Sequence, residues 1–214
     1  MIEAVIFDMD GVMIDSEWIY KKACQNVLKK YGKEATEDLF KAQMGRSMEE
    51  AQQIIVEMTG LDVEPEKIGT EYTIEYLRLS EELLKPNPGL YKLINSLRDK
   101  VLLAVASSTE QSVVEKILKK FEIKKDFSAI TGGDKVKHSK PYPEIYNVTA
   151  RKLGVQPAKC IVIEDSPAGI DSAKNAGMTV LALKTKHNKN MVLSKADKQF
   201  DSLGNIQKYI LGII

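Results

Sequence analysis

Short runs of consecutive apolar residues recur along the chain, each followed by small or acidic residues and then by a helical pattern. Apolar runs without alternation are typical of strands that are covered on both faces, and helices between such strands indicate parallel pairing. The pattern therefore predicts a doubly wound α/β fold with a parallel sheet core. We expect its strands at residues 3–7, 101–106, 127–131, 160–163 and 178–183.

The helices between these strands have recognisable ends. Thr109 is of a residue type that caps helices, and Pro143 suits the first turn of a second helix. Ser166 followed by Pro167 combines a capping residue with a first-turn proline, and Gly177 is expected to end that helix. These signals predict helices after the second, third and fourth strands.

One interval departs from this rhythm, because residues 15–84 contain no convincing strand and show helical patterns instead. A connection between a strand and the next helix is normally a few residues long, so we interpret this interval as an inserted helical domain. The core domain is then discontinuous and comprises residues 1–14 and 85–214. The expected helices of the insertion are 16–31, 36–44, 47–59 and 65–84.

Composition narrows the class of protein. The 214 residues are 43% hydrophobic and carry a formal net charge of +1, so neither nucleic acid nor an anionic membrane is an expected partner. No apolar run approaches the roughly 20 residues of a membrane-spanning helix, and the N-terminus shows no signal-peptide pattern. Cys24 and Cys160 lack metal-ligand spacing and indicate reduced thiols in a cytoplasmic protein.

Polar side chains follow three of the predicted strands, and a lysine lies in the loop before the fourth strand. In a parallel sheet the carboxyl ends of the strands share one edge, and ligands bind there near the point where the strand order reverses. The residues that we expect to meet at this edge are Asp8, Asp10, Ser107, Lys140, Glu164 and Asp165.

Several carboxylates in one crevice repel one another, by about 4 kcal/mol per pair at about 4 Å and an effective dielectric constant of roughly 20. A hard divalent cation removes this cost, and carboxylate and carbonyl oxygens suit Mg²⁺, which commonly joins a substrate phosphate. Each motif alone has an ordinary explanation as a turn or a helix cap. Their shared position at the strand ends favours a metal-dependent chemical role.

Four segments, FDMDGV, VASS, KPYPEIY and IEDSPAGI, occur in this order along the chain. Together they resemble the four motifs of the haloacid dehalogenase-like hydrolases. The resemblance covers essentially the whole chain, because the helical insertion matches the small-cap subgroup of that family. Within the family, the chain is similar to the branch of β-phosphoglucomutase, phosphoglycolate phosphatase and sugar-phosphate phosphatases. The resemblance implies phosphoryl transfer and says little about the substrate.

The resemblance also implies roles for individual residues. Asp8 would attack phosphorus to form an aspartyl-phosphate, and Asp10 would protonate the leaving alcohol and later activate water. Ser107 would donate a hydrogen bond to a phosphoryl oxygen, helped by the backbone near Ser108. Lys140 would neutralise charge on the phosphoryl group and on Asp8.

By the same resemblance, Mg²⁺ would be held at Asp8, at the backbone carbonyl of Asp10 and at Asp165, with Glu164 bound directly or through water. An acid two residues after the nucleophile favours an oxygen leaving group over a halide, which needs no proton. We therefore expect a cytoplasmic, monomeric, Mg²⁺-dependent phosphatase. Its substrates would be small phosphorylated metabolites of the sugar phosphate or phosphoglycolate type.

β-Phosphoglucomutase is the main alternative. Mutases of this branch carry a histidine in the first cap helix, where this chain has Tyr20. Arg46 lies near the position of a mutase arginine for the non-reacting phosphate, and a guanidinium suits a distal phosphate or carboxylate bidentately. Arg46 is equally well explained as a surface residue at a helix start, and Tyr20 as a packing residue. Both are kept as candidate substrate-binding residues.

Overall fold

The computed structural model of the chain describes residues 1–43 and 48–214. The chain forms two compact units, one made of Met1–Asp15 together with Lys85–Ile214 and the other made of Ser16–Leu84. We call them the sheet unit and the helical unit. Arg46, one of the candidate substrate-binding residues, lies outside the described residues.

The sheet unit is built on the strands β1 (Ala4–Phe7), β2 (Leu102–Ala106), β3 (Ala129–Thr131), β4 (Cys160–Glu164), β5 (Thr179–Leu183) and β6 (Lys198–Phe200). Over the described residues they form one six-stranded sheet in the order β3-β2-β1-β4-β5-β6. All of its pairings are parallel. β1 is buried along its whole length because it is central, which explains its continuous apolar sequence. The predicted α/β fold with a parallel sheet is thereby confirmed.

β6 is absent from the predicted strands. It lies at the edge of the sheet next to β5, and the side chains of Lys198 and Gln199 are exposed. An edge strand with exposed polar side chains needs no continuous apolar run, so the hydrophobic pattern does not reveal it.

The helical unit contains α1 (Glu17–Lys30), α2 (Glu37–Gln43), α3 (Met48–Thr59) and α4 (Pro65–Leu83). α4 packs against both α1 and α3. It begins at a proline, whose fixed φ suits the first turn of a helix. Among the described residues of both units, no helix combines the length and the apolar character needed to cross a membrane. α1 buries Ile19, Ala23, Val27 and Leu28, whose helical spacing places them on one face.

The helices of the sheet unit are α5 (Leu90–Leu97), α6 (Gln111–Lys120), α7 (Glu144–Leu153), α8 (Pro167–Asn175) and α9 (Leu203–Leu211). The predicted cap of α8 is confirmed, because the Ser166 hydroxyl accepts a hydrogen bond from the Gly169 N–H at 3.0 Å. The predicted cap of α6 is wrong, since Glu110 and not Thr109 precedes the first residue of that helix.

The two segments that flank the helical unit meet inside the sheet unit. Ile14 forms an antiparallel bridge with Pro86. The side-chain amide of Asn87 donates to the carbonyl oxygens of Gly11 at 3.0 Å and Val12 at 2.9 Å. The turn after β1 is therefore fastened to the segment on which the chain returns to the sheet.

Candidate active site

The functional side chains predicted in the sheet unit lie at the carboxyl ends of three neighbouring strands. Asp8 follows β1, Ser107 follows β2, and Glu164 ends β4. β1 lies between β2 and β4, and the strand order reverses there, which is where sheets of this type bind ligands. The Asp8 N–H donates to the Ile163 carbonyl at 3.0 Å, so the sheet hydrogen bonding extends into the site.

Lys140 joins two of the carboxylates. Its Nζ lies 2.6 Å from Asp8 Oδ1 and 2.6 Å from Glu164 Oε1, and only 7% of its side chain is exposed. Burial by itself lowers the pKa of Lys140, but the charges of Asp8 and Glu164 raise that pKa well above its ordinary value. Lys140 is therefore a fixed positive charge between the two acids.

Glu164 is fully buried, and both of its oxygens accept hydrogen bonds. The Tyr146 hydroxyl donates to Oε1 at 2.9 Å, and the N–H groups of Asp165 and Ser166 donate to Oε2 at 2.8 Å and 3.0 Å. Burial raises the pKa of Glu164, but Lys140 and the hydrogen-bond donors outweigh burial and lower the pKa below its ordinary value. The carboxylate is therefore held ionised in a fixed orientation.

Asp10 is held by two hydroxyl groups from the segment after β2. The Thr109 hydroxyl donates to Asp10 Oδ2 at 2.9 Å, and the Ser107 hydroxyl lies 3.4 Å from the same oxygen. The Thr109 N–H in turn donates to Ser107 Oγ at 3.1 Å. The residue predicted to act as acid and base thus lies beside the hydroxyl predicted to bind the phosphoryl group.

Carboxylate oxygens of Asp8, Glu164 and Asp165 lie within 4.8 Å of one another and can serve as metal ligands. Burial raises the pKa of Asp8 to about 8 although Lys140 opposes the shift. Burial and the neighbouring carboxylates also raise the pKa of Asp165 well above its ordinary value. Both shifts show that Lys140 does not fully compensate the buried negative charge. A hard divalent cation such as Mg²⁺ fits this set of oxygen donors.

Two residues shape the surroundings of Asp165. Gly11 has a φ of +84°, and a Cβ at this position would collide with the Asp165 carboxylate, so glycine leaves that carboxylate its space. The Asn188 side chain is 3% exposed and donates to the carbonyl oxygens of Asp165 at 2.8 Å and Leu183 at 2.9 Å. The segment after β5 thereby holds the backbone of a candidate metal ligand in place.

The remaining candidates lie at different places. Ser108 is exposed, and its backbone carbonyl packs against Gly133. Tyr20 lies on α1 of the helical unit, where its ring stacks on that of Tyr76 with centroids 4.4 Å apart. The candidates at the carboxyl ends of the strands therefore cluster, whereas Tyr20 takes part in aromatic packing within its own unit.

Three residues of the site are absent from the prediction made from the sequence. Tyr146 stands in KPYPEIY together with Lys140, so the motif itself was a usable signal. Thr109 has a side chain that is typical of helix caps, so the sequence gives no sign that it contacts Asp10. Asn188 stands in TKHNK, whose polar composition is typical of a solvated loop and gives no sign of burial.

Known proteins have sequences similar to this chain. Residues 5–183 match the family model of the haloacid dehalogenase-like hydrolases. The phosphorylated carbohydrates phosphatase of Thermotoga maritima is 39% identical over 178 residues, which cover 83% of this chain and 82% of that protein. The fructose-1-phosphate phosphatase YqaB of Escherichia coli is 32% identical over 174 residues, which cover 81% of this chain and 92% of that protein.

The fold is shared with solved structures. The crystal structure of β-phosphoglucomutase from Clostridium difficile superposes with a TM-score of 0.84 at 28% identity, and the match covers 99% of this chain and 96% of that one. The family model spans most of the chain, and the clustered side chains occupy the four motifs by which the sequence resembles that family. This chain therefore belongs to the haloacid dehalogenase-like hydrolases, and its named relatives include phosphoric monoester hydrolases.

Proposed function

We propose that this enzyme is a Mg²⁺-dependent phosphatase that hydrolyses small phosphorylated metabolites through an aspartyl-phosphate on Asp8. The observation that carries this proposal is the buried cluster in which Lys140 lies 2.6 Å from both Asp8 and Glu164, with Asp165 beside them. The cluster gathers a nucleophile, a fixed cation and oxygen ligands for a metal around one point. The names of the two phosphatase relatives support a sugar phosphate as the substrate.

In the first step, a carboxylate oxygen of Asp8 forms a bond to phosphorus while the bond between phosphorus and the ester oxygen breaks. The electron pair of the broken bond stays on the ester oxygen, which takes a proton from Asp10 and leaves as an alcohol. Lys140 stabilises the negative charge on the phosphoryl oxygens, and the Ser107 hydroxyl donates a hydrogen bond to one of them.

In the second step, a water molecule attacks the phosphorus of the aspartyl-phosphate, and Asp10 removes a proton from that water. The bond between phosphorus and Asp8 breaks, which regenerates the carboxylate and releases inorganic phosphate. Asp10 has then recovered the proton that it gave to the alcohol. One ester and one water are consumed in each turnover.

The metal would be held by the carboxylates of Asp8 and Asp165, by Glu164 directly or through water, and by the backbone carbonyl of Asp10. When bound, Mg²⁺ supplies positive charge that keeps the nucleophile ionised and offsets the charge of the phosphoryl group. Lys140 adds a second positive charge at Asp8, since its ammonium contacts Asp8 Oδ1.

The β-phosphoglucomutase reaction is the competing assignment, and a structure of that name shares the fold. Two observations favour the phosphatase. Tyr20 stands where the mutases of this branch carry a histidine, and both curated relatives described above are named as phosphatases.

A turnover screen tests the proposal with fructose 1-phosphate, phosphoglycolate and β-glucose 1-phosphate, with Mg²⁺ and after its removal by a chelator. We expect release of inorganic phosphate that depends on Mg²⁺. Asp8→Asn is the matched control, because its amide has the same shape but cannot attack phosphorus. We expect it to lower kcat on the order of 10³-fold or more with an unchanged fold. Glucose 6-phosphate formed in place of inorganic phosphate, or no hydrolysis of any ester, would overturn the proposal.

The thiols support a reducing, cytoplasmic setting for this activity. Cys24 and Cys160 are both free and buried. Burial raises the pKa of each thiol to about 11, so neither is a reactive thiolate at neutral pH.

A further inference from the structure

Thr109 occupies a position where the sequence predicts a helix cap and the structure shows another contact. α6 begins at Gln111, and Glu110 is the residue that precedes it. The Thr109 hydroxyl donates to Oδ2 of Asp10 at 2.9 Å, so it links the segment after β2 to the segment after β1. This hydrogen bond joins Thr109 to the residue that we assign as acid and base.

The backbone of Thr109 is fixed on both sides. Its N–H donates to Ser107 Oγ at 3.1 Å, and its carbonyl accepts from the Gly133 N–H at 2.9 Å. Gly133 packs so closely that a Cβ there would collide with the Ser108 carbonyl. A well-packed segment therefore brings the Thr109 hydroxyl to Asp10.

The second hydroxyl near Asp10, that of Ser107, has a different role in the proposed function. Ser107 Oγ lies 3.4 Å from Asp10 Oδ2, which is longer than a strong O–H···O hydrogen bond. The proposed function assigns the Ser107 proton to a phosphoryl oxygen of the substrate. When the phosphoryl group accepts that proton, the hydroxyl of Thr109 still donates to Asp10. A hydroxyl that donates to a carboxylate forms a charge-assisted bond, which is about twice as strong as a neutral one.

We propose that Thr109 is a positioning residue that holds the Asp10 carboxylate for proton transfer to the leaving oxygen. This inference rests on the proposed function, because Thr109 acts through Asp10. A donor on Oδ2 fixes the rotation of the carboxylate and so sets the direction in which Oδ1 points. During the transfer the proton passes from Asp10 to the ester oxygen as the bond to phosphorus breaks, and Thr109 keeps its own proton.

The test compares Thr109→Val, which keeps the shape but removes the hydroxyl, with Thr109→Ser, which keeps the hydroxyl. The readout is kcat/KM, which reports the steps up to alcohol release, for an alkyl phosphate and for p-nitrophenyl phosphate. The alkyl leaving group must be protonated as it departs, whereas p-nitrophenolate is a weak base that can leave without a proton. We expect Thr109→Val to lower kcat/KM about 10-fold for the alkyl ester and at most about 3-fold for the aryl ester. Thr109→Ser should stay within about 3-fold for both.

Thr149→Val is the matched control, because it makes the same chemical change at a buried threonine that bonds to Thr131 and Ile145. It should leave the ratio of the two kcat/KM values unchanged. Thermal unfolding and calorimetric Mg²⁺ titration check each variant, and Thr109→Ala serves as the second hydroxyl-free variant if the valine variant does not fold.

Equal losses on both esters, or no loss on either, would overturn the assignment of Thr109 and leave the phosphatase assignment standing. If the wild-type enzyme releases inorganic phosphate from none of the esters of the turnover screen, the proposed function is overturned, and the inference about Thr109 with it.

Discussion

The two units of the molecule differ in where they bury charge, because the buried carboxylates of the described residues lie in the sheet unit. In the sheet unit, Asp8 and Glu164 are 7% and 0% exposed, and the Lys140 side chain between them is 7% exposed. Among the ion pairs described in the helical unit, that of Arg78 with Glu82 has side chains that are 50% and 57% exposed. An exposed pair contributes about 1 kcal/mol or less, whereas a buried charge is stable only where its partners are fixed.

The buried charges and the exposed ion pairs therefore have different roles in this chain. The sheet unit keeps a costly buried cluster whose members bond to one another, and we assign the reaction to that cluster. Each ion pair described in the helical unit has at least one side chain that is half exposed or more, so these pairs add little. Substitutions in the two units should therefore affect different properties of the protein. Changes near the cluster should alter metal binding or catalysis, and changes at Tyr20 and Glu75 in the helical unit should alter stability.

Of the three substitutions that test this comparison, the largest effect is expected at Gly11. A Cβ there would collide with the Asp165 carboxylate, so Gly11→Ala should displace a candidate metal ligand. We expect Mg²⁺ affinity, measured by calorimetry without substrate, to fall about 10- to 100-fold. The left-handed φ of +84° adds a loss of about 1 kcal/mol in the free energy of unfolding.

Gly154→Ala is the matched control for this experiment. Gly154 also has a left-handed φ, of +69°, but a Cβ there would meet no atom within 4 Å apart from its neighbours in the chain. It should lose about 1 kcal/mol of stability and keep its Mg²⁺ affinity. Equal Mg²⁺ affinity in the two variants would contradict the role assigned to the space around Asp165.

An intermediate effect is expected at Tyr20. Its ring stacks on that of Tyr76 at 4.4 Å and lies 6.2 Å from that of Tyr72. Tyr20→Ala should lower the free energy of unfolding by about 2 kcal/mol in urea and leave Mg²⁺ affinity unchanged. Tyr20→Phe keeps the ring and should lose much less. A fall of kcat/KM in Tyr20→Phe at full stability would instead give the Tyr20 hydroxyl a role in substrate binding.

The smallest effect is expected at Glu75. The hydrogen bond from Arg78, followed by that from Asn26, lowers the pKa of Glu75 from 4.5 to about 2 although partial burial opposes the shift. The stabilisation is therefore complete above pH 4.5 and is lost as the pH falls from 4.5 towards 2. Wild type should exceed Glu75→Gln in unfolding free energy by about 1 kcal/mol at neutral pH, and the difference should shrink in acid.

Glu82→Gln is the control for that measurement, because it removes an exposed contact with the same Arg78. It should change the pH dependence of unfolding less than Glu75→Gln does. A difference between wild type and Glu75→Gln that is constant over the acid range would contradict the prediction.

The sheet was predictable because its central strands are buried on both faces, and burial on both faces requires a continuous apolar run. β1 is the clearest case, since all of its residues are buried. The position of the site followed from the same reasoning, because carboxylates directly after parallel strands share one edge. The predicted third strand began too early, at Phe127, whereas β3 begins at Ala129. Phe127 is apolar because its ring packs edge-to-face against that of Phe7, with centroids 5.8 Å apart.

What escaped prediction depends on contacts between residues far apart in sequence. β6 pairs at an edge with exposed side chains, and Thr109 bonds to an acid on a different strand end. Asn188 is buried by the backbone groups it binds, in a segment whose own residues are polar. A local pattern reports how a residue suits its neighbours in sequence, and these contacts belong to the assembled sheet.

The bridge between Ile14 and Pro86 closes the base of the inserted segment inside the sheet unit. The entropy cost of closing a chain grows only with the logarithm of its length, and here the fastening groups lie outside the insertion. Lengthening the stretch between them should therefore add little to the entropy cost of bringing Ile14 and Pro86 together. The sequence of the insertion can therefore vary during evolution while the reacting side chains of the sheet unit stay the same.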